Sequence, residues 1–227
     1  MQAVGIIPAR WGSRRFPGKV VTPIAGQPMI ERVWRAVRRS GCLREVIVAT
    51  DDSRVMALCD EFGAKAVMTS PEHATGTDRI AEVAQSLRDE VIVNVQGDEP
   101  LLEPRVIEAS LEALERDAGA SMSTVVHPLD REALDDPHRV KVLLDADGRA
   151  WDFARTLPVD SGALSNCWQH IGLYAYRRDF LLDFVRWPQS PTELDRDLEQ
   201  WRALDGGHPI AVGQVNGWRS VPVDVPE

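Results

Sequence analysis

A chain of 227 residues, 44% hydrophobic and 27% charged, has the composition of a soluble globular protein and the length to bury one core, or one core with a smaller lobe. Its 35 acidic and 26 basic residues leave a formal charge of −9, which argues against a broad nucleic-acid surface but leaves room for a small anion in one local positive pocket. No apolar run reaches the ~18 residues of a membrane span, and three scattered cysteines without CxxC read as reduced thiols of a cytoplasmic protein.

The first ten residues set their apolar stretch ahead of their cations, the reverse of a secretory signal. That stretch, Ala3–Ala9, reads as a buried parallel strand followed by a Gly/Pro-rich loop. A helix follows, with Ile30, Val33, Trp34 and Val37 on one face. Glu45–Thr50 is a second buried strand, and Ser53 is placed to cap a helix running through Phe62. Ile80, Val83, Ala84 and Leu87 give another helix its apolar face; Val91–Val95 is a third strand; a helix from Pro104 to about Arg116 starts on proline, as first helical positions prefer. A strand at SMSTVVH completes an alternation that implies a doubly wound, mostly parallel α/β sheet.

The texture changes after about Asp130. A hairpin turning at Asp145–Gly148, a strand at QHIGLYAY, helices near Asp179–Trp187 and Leu194–Leu204, and a strand at PIAVGQV suggest a smaller mixed α+β lobe. Leu194, Leu198, Trp201 and Leu204 form the expected core stripe of the last helix, with Glu199, Gln200 and Arg202 turned to solvent. The division expected is residues 1–130 as a nucleotide-binding core, 131–215 as the smaller lobe, and 216–227 returning to the core.

Two polar motifs follow strands directly, where open α/β sheets bind ligands. In PARWGSRRFPGK, residues 8–19, Arg10, Arg14, Arg15 and Lys19 precede the first acid of the chain, Glu31, and glycines let the backbone approach a ligand; the pattern suits phosphate. It is not a Walker loop, because five residues separate Gly12 from Gly18-Lys19 and Val20 follows. That spacing speaks against a P-loop kinase. In VNVQGDEP, Asp98 can hold Mg²⁺ against phosphate oxygens, although Gly-Asp-Glu-Pro is also ordinary turn chemistry. The stretch around Thr75 and Thr77 reads first as a helix cap. The five histidines show no metal-ligand spacing.

With those residues in view, the chain resembles the CMP-Kdo synthetases, the 3-deoxy-manno-octulosonate cytidylyltransferases. IIPARWGSRRFPGK, IVATDD, TGTDRIAEV, VNVQGDEP, VKVLLDADG, HIGLYAYR, LEQWRAL and VDVPE stand in the family's order. The resemblance implies a nucleotide-diphospho-sugar-transferase-like fold and transfer of CMP from CTP to an acidic acceptor with release of pyrophosphate. It implies CTP binding by Pro8, Ala9, Arg10, Ser13, Arg15, Lys19, Thr77, Asp78, Arg79 and Gln96, with Lys19, Arg10 and Asp98 catalytic. Asp98 and Asp224 would hold magnesium, two ions during turnover. Gln96, Arg155, His170, Tyr174, Glu199 and Gln200 would line the acceptor pocket. No protein base is assigned. The resemblance also implies that residues 131–215 bind the acceptor and form a homodimer.

Departures from the family pattern cluster on the acceptor side. Ala154 replaces a serine, the loop from Pro158 to His170 is short, Arg196 stands where a glutamate is expected, and Trp201 replaces leucine. The family's C-terminal helix would follow Glu227. A trimmed pocket keeps two acceptors level: Kdo, the family default, and phosphonoformate, the substrate of an offshoot. A catalytically silent nucleotide-binding module remains a third reading.

Overall fold

A computed structural model describes residues 1–12, 16–157, 166–218 and 223. The chain divides into two compact units, residues 1–108 with 176–185 and 220–227, and residues 109–175 with 186–219.

In the first unit, β1 (Ala3–Pro8) leads to a short 3-10 turn (Lys19–Val21) and a two-stranded ribbon, β2 (Pro23–Ile24) and β3 (Gln27–Pro28). Helix α1 (Met29–Arg38) buries Ile30, Val33, Trp34 and Val37, the face expected from their spacing. Strand β4 (Glu45–Thr50), α2 (Ser53–Phe62), β5 (Lys65–Met68), α3 (Gly76–Gln85) and β6 (Val91–Asn94) follow. The strands lie in the order β5-β4-β1-β6 and every pairing is parallel. β1 is central, and Val4, Ile6 and Ile7 are fully buried. Each such side chain contributes about 1.5–3 kcal/mol relative to exposure. The cap of α2 differs from expectation. Asp52, not Ser53, accepts the Arg54 N–H, because its β-region backbone puts the carboxylate over the first turn while Ser53 is already helical.

Helix α4 (Pro104–Arg116) carries the chain into the second unit. There lie β7 (Met122–Pro128), α5 (Arg131–Asp135), the hairpin β8 (Lys141–Leu144) and β9 (Arg149–Ala154), and most of β10 (Cys167–Arg177). Gly148 closes the hairpin turn at φ +78°, donating its N–H to the Asp145 carbonyl. The end of β10 and α6 (Arg178–Phe184) belong to the first unit, where the rings of Tyr176, Phe180 and Phe184 pack together. Helices α7 (Pro191–Arg196) and α8 (Trp201–Asp205) and strand β11 (Ile210–Gln214) complete the second unit.

Its strands run β10-β7-β11-β9-β8, with the start of β10 also pairing antiparallel with β8. β7–β11 is parallel, while β9–β11 and β8–β9 are antiparallel, so this sheet is mixed, as the change of texture implied. Gly213 on β11 lies so close under α4 that any side chain there would collide with the Ala109 carbonyl. The one helix expected over Leu194–Leu204 is two. Asp197 takes a left-handed conformation, φ 53°, and ends α7, which begins in a Ser190–Glu193 capping box. Leu194 is therefore 62% exposed rather than core, while Gln200 and Arg202 are buried rather than solvated. No helix among the described residues is long and apolar enough to cross a membrane.

Candidate active site

Three motifs of the first unit meet at Pro8. Gly97, after β6, lies where a Cβ would come within 3.0 Å of the Pro8 carbonyl oxygen, and Gly76, opening α3, where a Cβ would stand 3.2 Å from the Pro8 ring. Such approaches need glycine. Ala9 is buried and donates its N–H to the Ala49 carbonyl at 2.8 Å, fixing the start of the basic loop. The loop closes through Gly18 N–H on the Trp11 carbonyl, 3.0 Å, and the Arg54 guanidinium covers the Trp11 ring. Arg10 is exposed. Lys19 Nζ donates to Asp98 Oδ2 at 2.7 Å, joining the PGK and QGDEP motifs. The Val223 N–H donates to the Asp98 carbonyl at 3.0 Å, bringing the residue before Asp224 to the same place. Ser13, Arg15 and Asp224 themselves lie outside the described residues.

The TGTDR motif uses its polar groups locally. Thr75 and Asp78 form a capping box, with Asp78 Oδ2 accepting from the Thr75 N–H, the role first read from the sequence. Thr77 is buried. Arg79 is 2% exposed; it donates to Asp51 Oδ2 at 2.8 Å and to Thr69 Oγ1 at 2.5 Å. The other Asp51 oxygen accepts the Trp11 N–H at 3.3 Å, so Arg79 reaches the basic loop through Asp51. Sequence reasoning missed Asp51, although its place at the carboxyl end of β4 is the signal that marked Asp98. Gln96 follows β6 and is half-buried.

In the second unit, alternation along β10 puts His170 and Tyr174 on one face, ring centroids 5.4 Å apart, with Phe153 edge-on to His170 at 5.5 Å. Thr124 Oγ1 lies 2.8 Å from His170 Nε2 and 2.9 Å from the Leu173 carbonyl. A hydroxyl has one proton, and the carbonyl can only accept it. His170 Nε2–H must therefore be the donor to Thr124, leaving Nδ1 as an acceptor. Burial pushes His170 down to about 3, which keeps the ring neutral. Burial, with Glu199 nearby, holds Tyr174 well above the ordinary phenol range. Gln200 is buried, and its Nε2 has no hydrogen-bond partner among the described residues. Arg155 reaches the α7 terminus, donating to the Asp197 carbonyl at 2.9 Å. A groove of about 760 Å³ between α4, the β8–β9 turn and β11 contains none of these residues and is bridged by the Arg149–Asp117 pair.

The sequence departures at 196 and 201 have a structural cause. Arg196 Nη1 and Trp201 Nε1 donate to the same Phe153 carbonyl at 3.0 and 2.9 Å, and the Arg196 guanidinium lies 4.5 Å from the Trp201 ring centroid. Arg196 also pairs with Asp152 at 2.5 Å. The two exchanges form one matched contact under β9, so they give no measure of acceptor size. Of the shortened loop from Pro158 to His170, residues 158–165 lie outside the described residues, and from Cys167 the chain is already in β10.

A family profile described as a cytidylyltransferase matches residues 4–210. The 3-deoxy-manno-octulosonate cytidylyltransferase of Syntrophotalea carbinolica is 44% identical over 239 residues, covering all of this chain and 95% of the relative. The chain belongs to the 3-deoxy-manno-octulosonate cytidylyltransferase family. Its counterpart in Myxococcus xanthus is 46% identical over 229 residues, 99% of this chain and 92% of that one. A solved CMP:2-keto-3-deoxy-manno-octonic acid synthetase complexed with CTP superposes with a TM-score of 0.93 at 37% identity, covering 100% and 94% of the two chains. The inositol-1-phosphate CTP transferase of T. maritima, 13% identical with a TM-score of 0.69 over 99% and 90%, shares the fold alone. Membership of a family of CTP-dependent nucleotidyltransferases sets aside the silent binding module. It also withdraws phosphonoformate as an equal acceptor: the relatives carry the octulosonate in their names, and the 196 and 201 exchanges no longer argue for a smaller acid.

Proposed function

We propose that this protein transfers CMP from CTP to the anomeric hydroxyl of 3-deoxy-manno-octulosonate, with Mg²⁺, and releases pyrophosphate. The Lys19–Asp98 contact carries the reading, because it joins a phosphate-type cation to a metal-type carboxylate where the motifs converge. Mg²⁺ takes one or two carboxylates and leaves its other positions to water and phosphate. Asp98 is 26% exposed, and Val223 ties the residue beside Asp224 to it, a donor set of that kind. When bound, magnesium supplies charge neutralisation at the α-phosphate and a lowered pKa for the acceptor hydroxyl.

Arg10, Ser13, Arg15 and Lys19 bind the triphosphate, an exchange in which its oxygens take Lys19 from Asp98. Asp51 and Arg79 hold the loop in shape. The acceptor hydroxyl gives its proton to solvent water and its oxygen bonds to the α-phosphorus as the bond to the bridging oxygen breaks, and pyrophosphate leaves with that electron pair. Nucleotidyl transfer of this kind needs positioning and charge more than covalent help. The second unit presents an Nδ1 acceptor from His170, a phenol from Tyr174, an amide from Gln200 and the Arg155 cation, groups matched to hydroxyls and a carboxylate. Exposed Trp151 and Leu194 support a homodimer through this unit, and the absence of disulfides at Cys42, Cys59 and Cys167 supports a cytoplasmic location.

The test is pyrophosphate release from CTP and Mg²⁺ with octulosonate or phosphonoformate as acceptor. Release with octulosonate is expected, falling at least ~10²-fold in Lys19→Ala. Release with phosphonoformate alone would overturn the acceptor.

A further inference from the structure

Lys141 belongs to the VKVLLDADG motif, to which the reaction gives no task. It opens β8 between β9 and β10, opposite Ala154 and Gln169, and is 0% exposed. Its Nζ donates to two backbone carbonyls, Asp136 and Arg155, each at 2.7 Å. A buried ammonium with carbonyl partners loses far more hydration than a hydrophobic side chain of equal volume. Burial drives its pKa down, opposed by Asp136, Cys167 and Asp135, with Arg139 acting in the same sense as burial.

That cost is matched by geometry. Arg155 is the first residue past β9, where the β8–β9 ladder ends. Its carbonyl is held by Lys141, and its guanidinium bonds Asp197, the left-handed residue that ends α7. Main chain and side chain of one arginine are thus each tied to a different element, β8 and the end of α7. We propose that Lys141 is the positioning residue of the acceptor arginine: its ammonium, tied also to Asp136, sets the backbone from which Arg155 reaches the acceptor's carboxylate. This rests on the reading that Arg155 binds the acceptor.

Steady-state kinetics on the full chain test it, with the KM for octulosonate and for CTP measured separately. Lys141→Met should raise the octulosonate KM roughly tenfold, since small displacements of a positioning group carry costs of that order. The CTP KM should stay within about twofold. Combined with Arg155→Ala, Lys141→Met should add nothing to the single Arg155→Ala effect. If Arg155→Ala leaves the octulosonate KM unchanged, the acceptor reading of Arg155 falls. If Arg155→Ala raises it and Lys141→Met does not, or if the two effects multiply, the positioning role falls. Where Lys141→Met fails to fold, Lys141→Gln carries the same expectations.

Discussion

In the first unit the ion pair at the motif junction leaves Lys19 and Asp98 13% and 26% exposed, whereas in the second Glu193 and Arg202 meet at 4% and 7%. The first pair meets through a hydrogen bond at 2.7 Å; the second is a two-pronged fork at 2.8 and 2.5 Å, with Gln189 and the Ser190 N–H also bonding Glu193. Burial works against the Glu193 carboxylate, yet the bonds from Arg202, Gln189 and Ser190 still hold its pKa below the usual range. A partly exposed, unforked contact can be exchanged for a ligand at small cost. A dry, forked one cannot, because either partner left alone is a buried charge. The same distinction separates Lys19 from Lys141.

Substitutions sharpen this contrast, beginning with the largest effect. Asp98→Asn should abolish pyrophosphate release while leaving the melting temperature near that of the parent; normal turnover would remove Asp98 from the metal site. Glu193→Gln should cost about 3–5 kcal/mol in urea unfolding followed by tryptophan fluorescence, with CTP binding intact at low denaturant. A loss below about 1 kcal/mol would make this pair no different from a surface one.

Trp201→Leu, which restores the family residue, should cost about 1–2 kcal/mol by the same assay, from the donor lost to Phe153 and the ring lost to Arg196. A further effect, comparable in size, is in pH. The folded-state pKa of His170 lies at about 3, below the unfolded value of about 6.5. Below pH 6.5 the unfolded chain binds a proton that the folded ring refuses, so stability is complete above that pH and declines as the pH falls toward 3. His170→Phe should flatten the urea midpoint between pH 6.5 and 5 relative to the parent; parallel curves would show the ring titrates normally.

Much of the first unit was legible because parallel strands are written as unbroken apolar runs. The bounds of β4 and α4 and the start of β1 fall where the sequence placed them. β5 escaped notice, being a four-residue edge strand with both ends exposed. The loop and QGDEP could be marked from their position after strands, but their meeting at Pro8 depends on contacts among residues almost ninety apart in sequence. The helix break at Asp197 had a signal that was missed: Ser190-Pro191-Thr192-Glu193 is a capping box with proline at its first helical position, which starts a helix three residues early and rotates Leu194 outward. For Arg79 and Lys141 no pattern would have served, since a cation inside a helix or strand reads as a surface residue until its partners are known.

The first unit borrows its Tyr176–Phe180–Phe184 plug from sequence that arrives only after most of the second unit has been made. Arg178 then clips the plug in place, its N–H on the Glu90 carbonyl and its side chain on the Ala84 carbonyl. A fragment ending at residue 108 would carry the basic loop and Asp98 yet expose the apolar floor that α6 covers. On the ribosome, therefore, the first unit waits for its own late-synthesised cover, and no single cut can excise it whole.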